Sequence, residues 1–186
     1  MGQNFLAIDF ETANYNGDSA CSIGLVKVMN DRIVTQEVFL IRPPTQHFVF
    51  SYLHGISWET VAKAPTFGKL WPKIAHLFDG VEFLAAHNAT FDKKVLFACC
   101  SRYKVTPPPH PFTCTMKLAR NVFSIYPTKL SDVCRRLKIK LNHHEALSDA
   151  TACAKIVLAA EESKQGRLMT IKKKVENRRP VENRAG

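Results

Sequence analysis

The chain has 186 residues, 46% of them hydrophobic and 23% charged, and carries a formal net charge of +10. That length gives one domain with a short extension, and that apolar share excludes a wholly disordered or fibrous chain. The excess of positive charge favours a polyanionic partner, because neutralising phosphates releases their counterions.

The opening MGQNFLAIDFET lacks the basic region and long apolar stretch of a signal peptide. No apolar run approaches the ~20 residues of a membrane span, so a cytoplasmic protein without a membrane partner is expected. Residues 5–8, 22–29 and 33–41 are apolar runs, the last two separated by the turn-forming pair Asn30-Asp31, and they read as three consecutive antiparallel strands. After Pro43-Pro44, Ser57 starts a helix with Glu59 in its first turn. Thr66 starts another, with Leu70, Ile74, Leu77 and Phe78 on one face. Residues 82–87 form a fourth strand, Thr90 caps a helix over 91–102, and TPPPHP at 106–111 breaks regular structure. A short strand over 112–115 and helices over 116–122, 130–137 and 146–162 follow.

This order predicts an α/β fold, a mixed five-stranded sheet flanked by helices, within a domain over residues 1–162. Residues 163–186 hold eight Lys and Arg against two Glu, with no apolar period and a Pro at 180, and read as a basic, flexible C-terminal tail. If Lys172, Lys173, Lys174, Arg178 and Arg179 contact phosphates, truncation after Glu162 should weaken nucleic-acid binding and flatten its salt dependence. An unchanged salt slope would refute that role. The six cysteines, Cys21, Cys99, Cys100, Cys114, Cys134 and Cys153, contain no C-x-x-C pair and read as reduced, partly buried thiols.

Asp9 and Glu11 stand two apart at the end of an apolar strand, so alternation points both side chains to one face of the sheet. Two anions there are tolerable on a solvated surface or when they share a divalent cation. Asp92 opens a helix, where an acid complements the dipole. Asp149 lies in the first turns of the final helix, five residues after His144. Each acid thus sits at a strand end or helix start, where a sheet flanked by helices gathers its functional groups. The adjacent His143 and His144 cannot share a helical face as a zinc-protease box requires, so zinc is not expected.

The segments AIDFET at 7–12, HNATFD at 87–92 and HHEALSDA at 143–150, in that order, resemble the three motifs of the DnaQ-like 3′-5′ exonucleases of the DEDDh subgroup. That family includes the proofreading epsilon subunit of bacterial DNA polymerase III. SIGLV at 22–26, HGIS at 54–57, APTF at 64–67, TMKLAR at 115–120 and LSDVCRRLKI at 130–139 are also similar, so the resemblance spans about residues 4–162. It implies a ribonuclease H-like fold, hydrolysis of terminal phosphodiesters from 3′ ends to nucleoside 5′-monophosphates, and two divalent ions, Mg²⁺ or Mn²⁺.

Such ions take oxygen ligands, and a pair of them can stabilise both the attacking and the leaving oxygen of an in-line displacement, which is why several carboxylates are needed at one point. By resemblance, Asp9 bridges the two ions, Glu11 and Asp149 complete one site, and Asp92 helps hold the second. His144, with H-x-x-x-x-D spacing to Asp149, becomes the general base, since a neutral imidazole can take a proton at physiological pH. His143 reads as a solvated loop residue. The resemblance also suggests that the backbone of Thr12 and Ala13 meets the terminal nucleotide, that His54 and Ile56 wedge against the last base, and that Asn88 lies close to the site. Phe91 reads as a core residue. Cys114 stands where many relatives have an acid.

The implied substrate is a single-stranded 3′ end, DNA before RNA, with a DNA polymerase as candidate partner. One alternative is a 3′-5′ exoribonuclease on short RNA or tRNA ends, distinguished by contacts to the 2′-hydroxyl. Another, of a different class, is a non-catalytic nucleic-acid-binding module, against which the four acids and His144 argue.

Overall fold

A computed structural model describes residues 2–176, with side chains as far as Lys164. Strands β1 (Phe5–Thr12), β2 (Ala20–Met29) and β3 (Arg32–Leu40) form an antiparallel meander, and β4 (Phe83–Ala86) and β5 (Phe112–Cys114) join it in parallel on the other side of β1. The order β3-β2-β1-β4-β5 makes a mixed five-stranded sheet with β1 at its centre. The β2–β3 connection is the predicted tight turn, with Asn30 and Asp31 both at positive φ (50° and 63°), which these short polar residues tolerate.

The helices are α1 (Ser51–His54), α2 (Trp58–Val61), α3 (Phe67–Ile74), α4 (Ala89–Arg102), α5 (Thr115–Phe123), α6 (Leu130–Leu137) and α7 (Ala146–Glu176). Alternation along β1 sends Leu6, Ile8 and Phe10 to one face, where they pack with Phe67, Leu70 and Ile74 of α3 and Val95 and Leu96 of α4. Phe5 and Ala7 face the other way, onto Ala150, Cys153, Ala154 and Val157 of α7. A third cluster ties α5 and α6 to Ala152 and Ile156 of α7. All six cysteines are free thiols, and five of them are buried.

Two expected boundaries move. Helix α4 starts one residue before Thr90, with Asn88 at its N-cap in a left-handed conformation, so the carbonyl of Asn88 rather than the Thr90 hydroxyl begins the first turn. Helix α7 runs to Glu176, fourteen residues beyond its expected end at 162. The side chains of Lys172, Lys173 and Lys174, and Arg178 and Arg179 altogether, lie outside the described residues. No helix among the described residues is long and apolar enough to cross a membrane.

Gly24 fixes how closely α7 approaches. It lies across from Asp9 on the α7 face of the sheet, and a Cβ there would collide with the Ala146 carbonyl and sit 2.7 Å from the Leu147 nitrogen. Only a bare α-carbon lets the first turn of α7 lie against β2. Gly24→Ala is therefore expected to destabilise the fold by about 3 kcal/mol, the upper end for an overpacked core. Urea denaturation measures it, and a loss under about 0.5 kcal/mol, an ordinary surface effect, would contradict this reading.

Candidate active site

The carboxyl end of β1 opens into a cleft of about 390 Å³. Asp9, Phe10, Glu11 and Thr12 form its floor, Phe50, Leu53 and His54 one wall, and His143, His144 and Asp149 the other, with His87, Phe91 and Leu130 completing the lining. Because β4 runs parallel to β1, the start of α4 reaches the same end of the sheet and delivers Asp92 there. Asp9 and Glu11 share the α7 face, as alternation predicts, and one oxygen from each lies within 4.8 Å of one from Asp149.

Each acid is held differently. Asp92 is buried, and its Oδ1 accepts the Phe10 backbone N–H at 3.0 Å, which locks the α4 acid onto β1. Asp149 Oδ2 accepts from His143 Nδ1 at 2.9 Å and from the His144 backbone N–H at 3.2 Å. Its other oxygen, Oδ1, is buried with no hydrogen-bond partner.

The electrostatics follow from crowding. Burial, then repulsion from Asp92, Asp149 and Glu11, holds Asp9 well above the usual carboxylate range. Burial and the neighbouring Asp149 and Asp92 push Glu11 up to about 8. Burial lifts Asp92 to about 7 against the pull of the Phe10 N–H. Asp149 is raised by burial despite its contact with His143. Four acids raised together, with one carboxylate oxygen left bare inside protein, are what a divalent cation would relieve, and an all-oxygen set suits a hard ion. The residues present fit such a metal.

The expected general base and its neighbour exchange part of their description. His144 lines the cleft, but its φ of 67° turns the chain so that its ring stacks on that of His143 at 3.9 Å. It is His143, not His144, whose side chain bonds Asp149, so His143 is not a merely solvated loop residue. Burial and the adjacent His143 lower the pKa of His144 from its ordinary value, which favours a neutral, proton-accepting ring.

The expected substrate contacts divide. Thr12 lines the cleft, but its carbonyl is engaged by His54 Nε2 at 3.1 Å. Ala13 is buried and its backbone is spent: its N–H donates to the Ser19 carbonyl, and its own carbonyl accepts from Val49 and Phe50. His54 is in the cleft wall; its Nδ1 accepts the Ile56 N–H at 3.0 Å, so a neutral ring carries its proton on Nε2, directed at Thr12. Gly55, at φ 72°, ends α1 and lets Ile56 turn back to make that bond. Ile56 itself does not line the cleft, and Asn88 faces a neighbouring hollow with Lys93, Lys117 and Arg120. Phe91 is no core residue: it is 42% exposed and forms one lip of the cleft.

Sequence reasoning missed Phe50, Leu53, Leu130 and His87. The first two lie in FVFSYL, an apolar patch within the irregular stretch after Pro43-Pro44, which is their one visible signal. His87 opens HNATFD, and its ring is clamped between the Thr115 hydroxyl on Nδ1 and the Thr128 carbonyl on Nε2, both at 2.8 Å.

The RNase T exonuclease family model matches residues 6–157. The chain belongs to this exonuclease family. It is 32% identical over 170 residues to a bifunctional exonuclease/endonuclease protein of Mycobacterium tuberculosis described as putative, covering 83% of this chain and 26% of that one. It is 31% identical to exodeoxyribonuclease 10 of Escherichia coli, covering 81% of this chain and 66% of that enzyme. The chain thus spans about a quarter of the first relative's length and just under two thirds of the second's. Among solved structures, the nuclease domain of a 3′ exonuclease, a DEDDh family member bound to rAMP, superposes with a TM-score of 0.74 at 21% identity, covering 87% of this chain and 92% of that one. That likeness identifies the ribonuclease H-like fold.

Proposed function

We propose that this exonuclease-family chain is a metal-dependent 3′-5′ exonuclease that removes nucleoside 5′-monophosphates from single-stranded DNA ends. The observation that carries it is the meeting of Asp9, Glu11 and Asp149 in one cleft, with a bare, buried oxygen on Asp149 and with Asp92 buried behind the cleft floor against the Phe10 N–H. The 31% identity to an exodeoxyribonuclease supports DNA, and relatives named DNA polymerase III support a polymerase partner. The rAMP-bound structural neighbour is the observation that favours the alternative, an exoribonuclease.

Asp9, Glu11 and Asp149 would hold one Mg²⁺ or Mn²⁺ and Asp92 would help hold a second; such a pair, when bound, supplies charge stabilisation for the attacking and leaving oxygens. The chain's own residues do the rest. Phe50, Leu53 and Phe91 offer apolar surface for a terminal base of any identity, since every base has a π-face. His54, fixed in one tautomer by Ile56 and Thr12, keeps that wall rigid. His144 takes the proton of the attacking water.

His144→Gln tests that proton transfer. The accepting form is the neutral ring, and its folded pKa lies below the ordinary value, so activity is full above about pH 6.5 and falls as the solution is acidified through the lowered pKa. The variant should lose about 10²- to 10³-fold in kcat together with that acid limb. Undiminished turnover would remove His144 from the role.

A further inference from the structure

No Lys or Arg among the described residues lines the catalytic cleft, although the substrate proposed above is a polyanion. The cations stand next door. A hollow of about 380 Å³ is lined by Lys93, Lys117 and Arg120 together with Asn88 and Thr90, and no acid lines it. The two cavities meet along the start of α4, where His87 and Phe91 line the cleft and Asn88, Ala89 and Thr90 the hollow. Elsewhere on the described surface Arg102, Arg135 and Lys164 pair with acids, whereas no ion pair among the described residues engages Lys93, Lys117 or Arg120. The Lys93 ammonium lies 5.6 Å from the centre of the Phe97 ring, a contact that leaves it N–H donors for another partner. Arg120 is held by one N–H donated to the Thr128 hydroxyl at 2.9 Å, and the Thr128 carbonyl accepts from His87 in the cleft wall. The hollow and the cleft are thus braced against each other, and the other guanidinium donors of Arg120 remain. Phe112, Cys114 and Met116 add apolar surface. Cations gathered in a concave patch without counter-charge are the donors that phosphate oxygens take, and such contacts position a nucleic-acid backbone whatever its sequence.

We propose that this hollow binds backbone phosphates of the nucleic acid whose 3′ end lies in the cleft, beyond the bond that is cut, and so sets the affinity for chains longer than a dinucleotide. The placement of the 3′ end rests on the function proposed above; backbone binding at the hollow does not. Lys93→Gln/Lys117→Gln removes two exposed charges from the hollow. Lys69→Gln/Lys73→Gln removes two exposed charges from α3 that line neither cavity, and circular dichroism confirms that each protein is folded. Fluorescence anisotropy of a 5′-labelled single strand, titrated with each full chain in chelator at several salt concentrations, reads the binding. The hollow pair should bind at least ~10-fold more weakly, with a slope of log K against log salt flatter by about 1.4, or about 0.7 for each lost contact, while the α3 pair changes affinity less than about twofold. On the same strand annealed to a longer complement, an equal loss assigns the phosphates to the digested strand and a larger loss to its complement. In Mg²⁺-supported digestion the hollow pair should lose the same factor in kcat/KM, through KM, on the long strand. That loss should disappear on a dinucleotide with a 5′ hydroxyl, whose single phosphate is held at the acids. A wild type that does not bind the strand, or a hollow pair that loses no more affinity and slope than the α3 pair, would overturn the proposal. A wild type with the expected binding pattern that digests nothing with Mg²⁺ would refute the nuclease reading and leave the backbone site standing.

Discussion

Asp9→Asn is expected to abolish metal-supported hydrolysis, by about a thousandfold or more, and at the same time to make the metal-free protein more stable at pH 8. The rate loss corresponds to the ~4 kcal/mol that charge stabilisation by a correctly held ion supplies. The gain in stability has a separate cause. In the folded protein the half-buried Asp9 carboxyl is crowded by three other acids, so at pH 8 it is either charged against its neighbours or protonated far above its ordinary range. The amide keeps the shape and removes the charge. A rise of about 5 °C in Tm in chelator corresponds to roughly 2 kcal/mol for a domain of this size. Thermal unfolding and oligonucleotide digestion on the same preparation check both halves, and a variant that is less stable and still active would contradict the account.

Wild-type protein in chelator is expected to lose stability as the pH rises from about 4.5 to 8. Glu11 is raised to about 8 and Asp92 to about 7, with Asp9 and Asp149 raised as well. Between the unfolded and folded values, the native state binds more protons than the unfolded chain. The stabilisation is therefore full below the unfolded pKa and is lost as pH climbs through the folded one, at up to about 1.4 kcal/mol per pH unit for each group. A cation bound by the native carboxylates reverses the trend, because it adds RT ln(1 + [L]/Kd) and competes with protons. The measurement is Tm in chelator and in excess Mg²⁺ at pH 5 and pH 8. The difference should be small at pH 5 and several degrees at pH 8; equal differences at both would mean that the acids do not hold the ion.

Much of this arrangement was legible in the residues. The three apolar runs and the Asn30-Asp31 turn announced the antiparallel meander, and period-two alternation put Asp9 and Glu11 on the same face. What escaped depends on features without a period. Helix α7 outruns its apolar pattern because periodicity reports only the buried face of a helix, and it stops near residue 162 although good helix formers such as Leu168, Met169 and three consecutive lysines continue beyond it. The engagement of His143 with Asp149 hangs on one positive φ at His144. The internal engagement of the Ala13 backbone hangs on loops at 13–19 and 47–50, whose irregular course brings Ser19, Val49 and Phe50 to its N–H and carbonyl. Phe91 stands at the lip of the cleft because it precedes a buried acid at a helix start, a position that composition does not disclose.

The central claim is that the four acids make this cleft a metal-dependent 3′-end hydrolase. It is tested most directly by digesting matched single-stranded DNA and RNA oligonucleotides, labelled at the 5′ end, with Mg²⁺ or Mn²⁺ and with excess chelator, using Asp9→Ala as the control. The expected result is stepwise shortening from the 3′ end that requires metal, vanishes in the variant and is faster on DNA. Oligonucleotides left intact by the wild type, or shortened equally by Asp9→Ala, would contradict it.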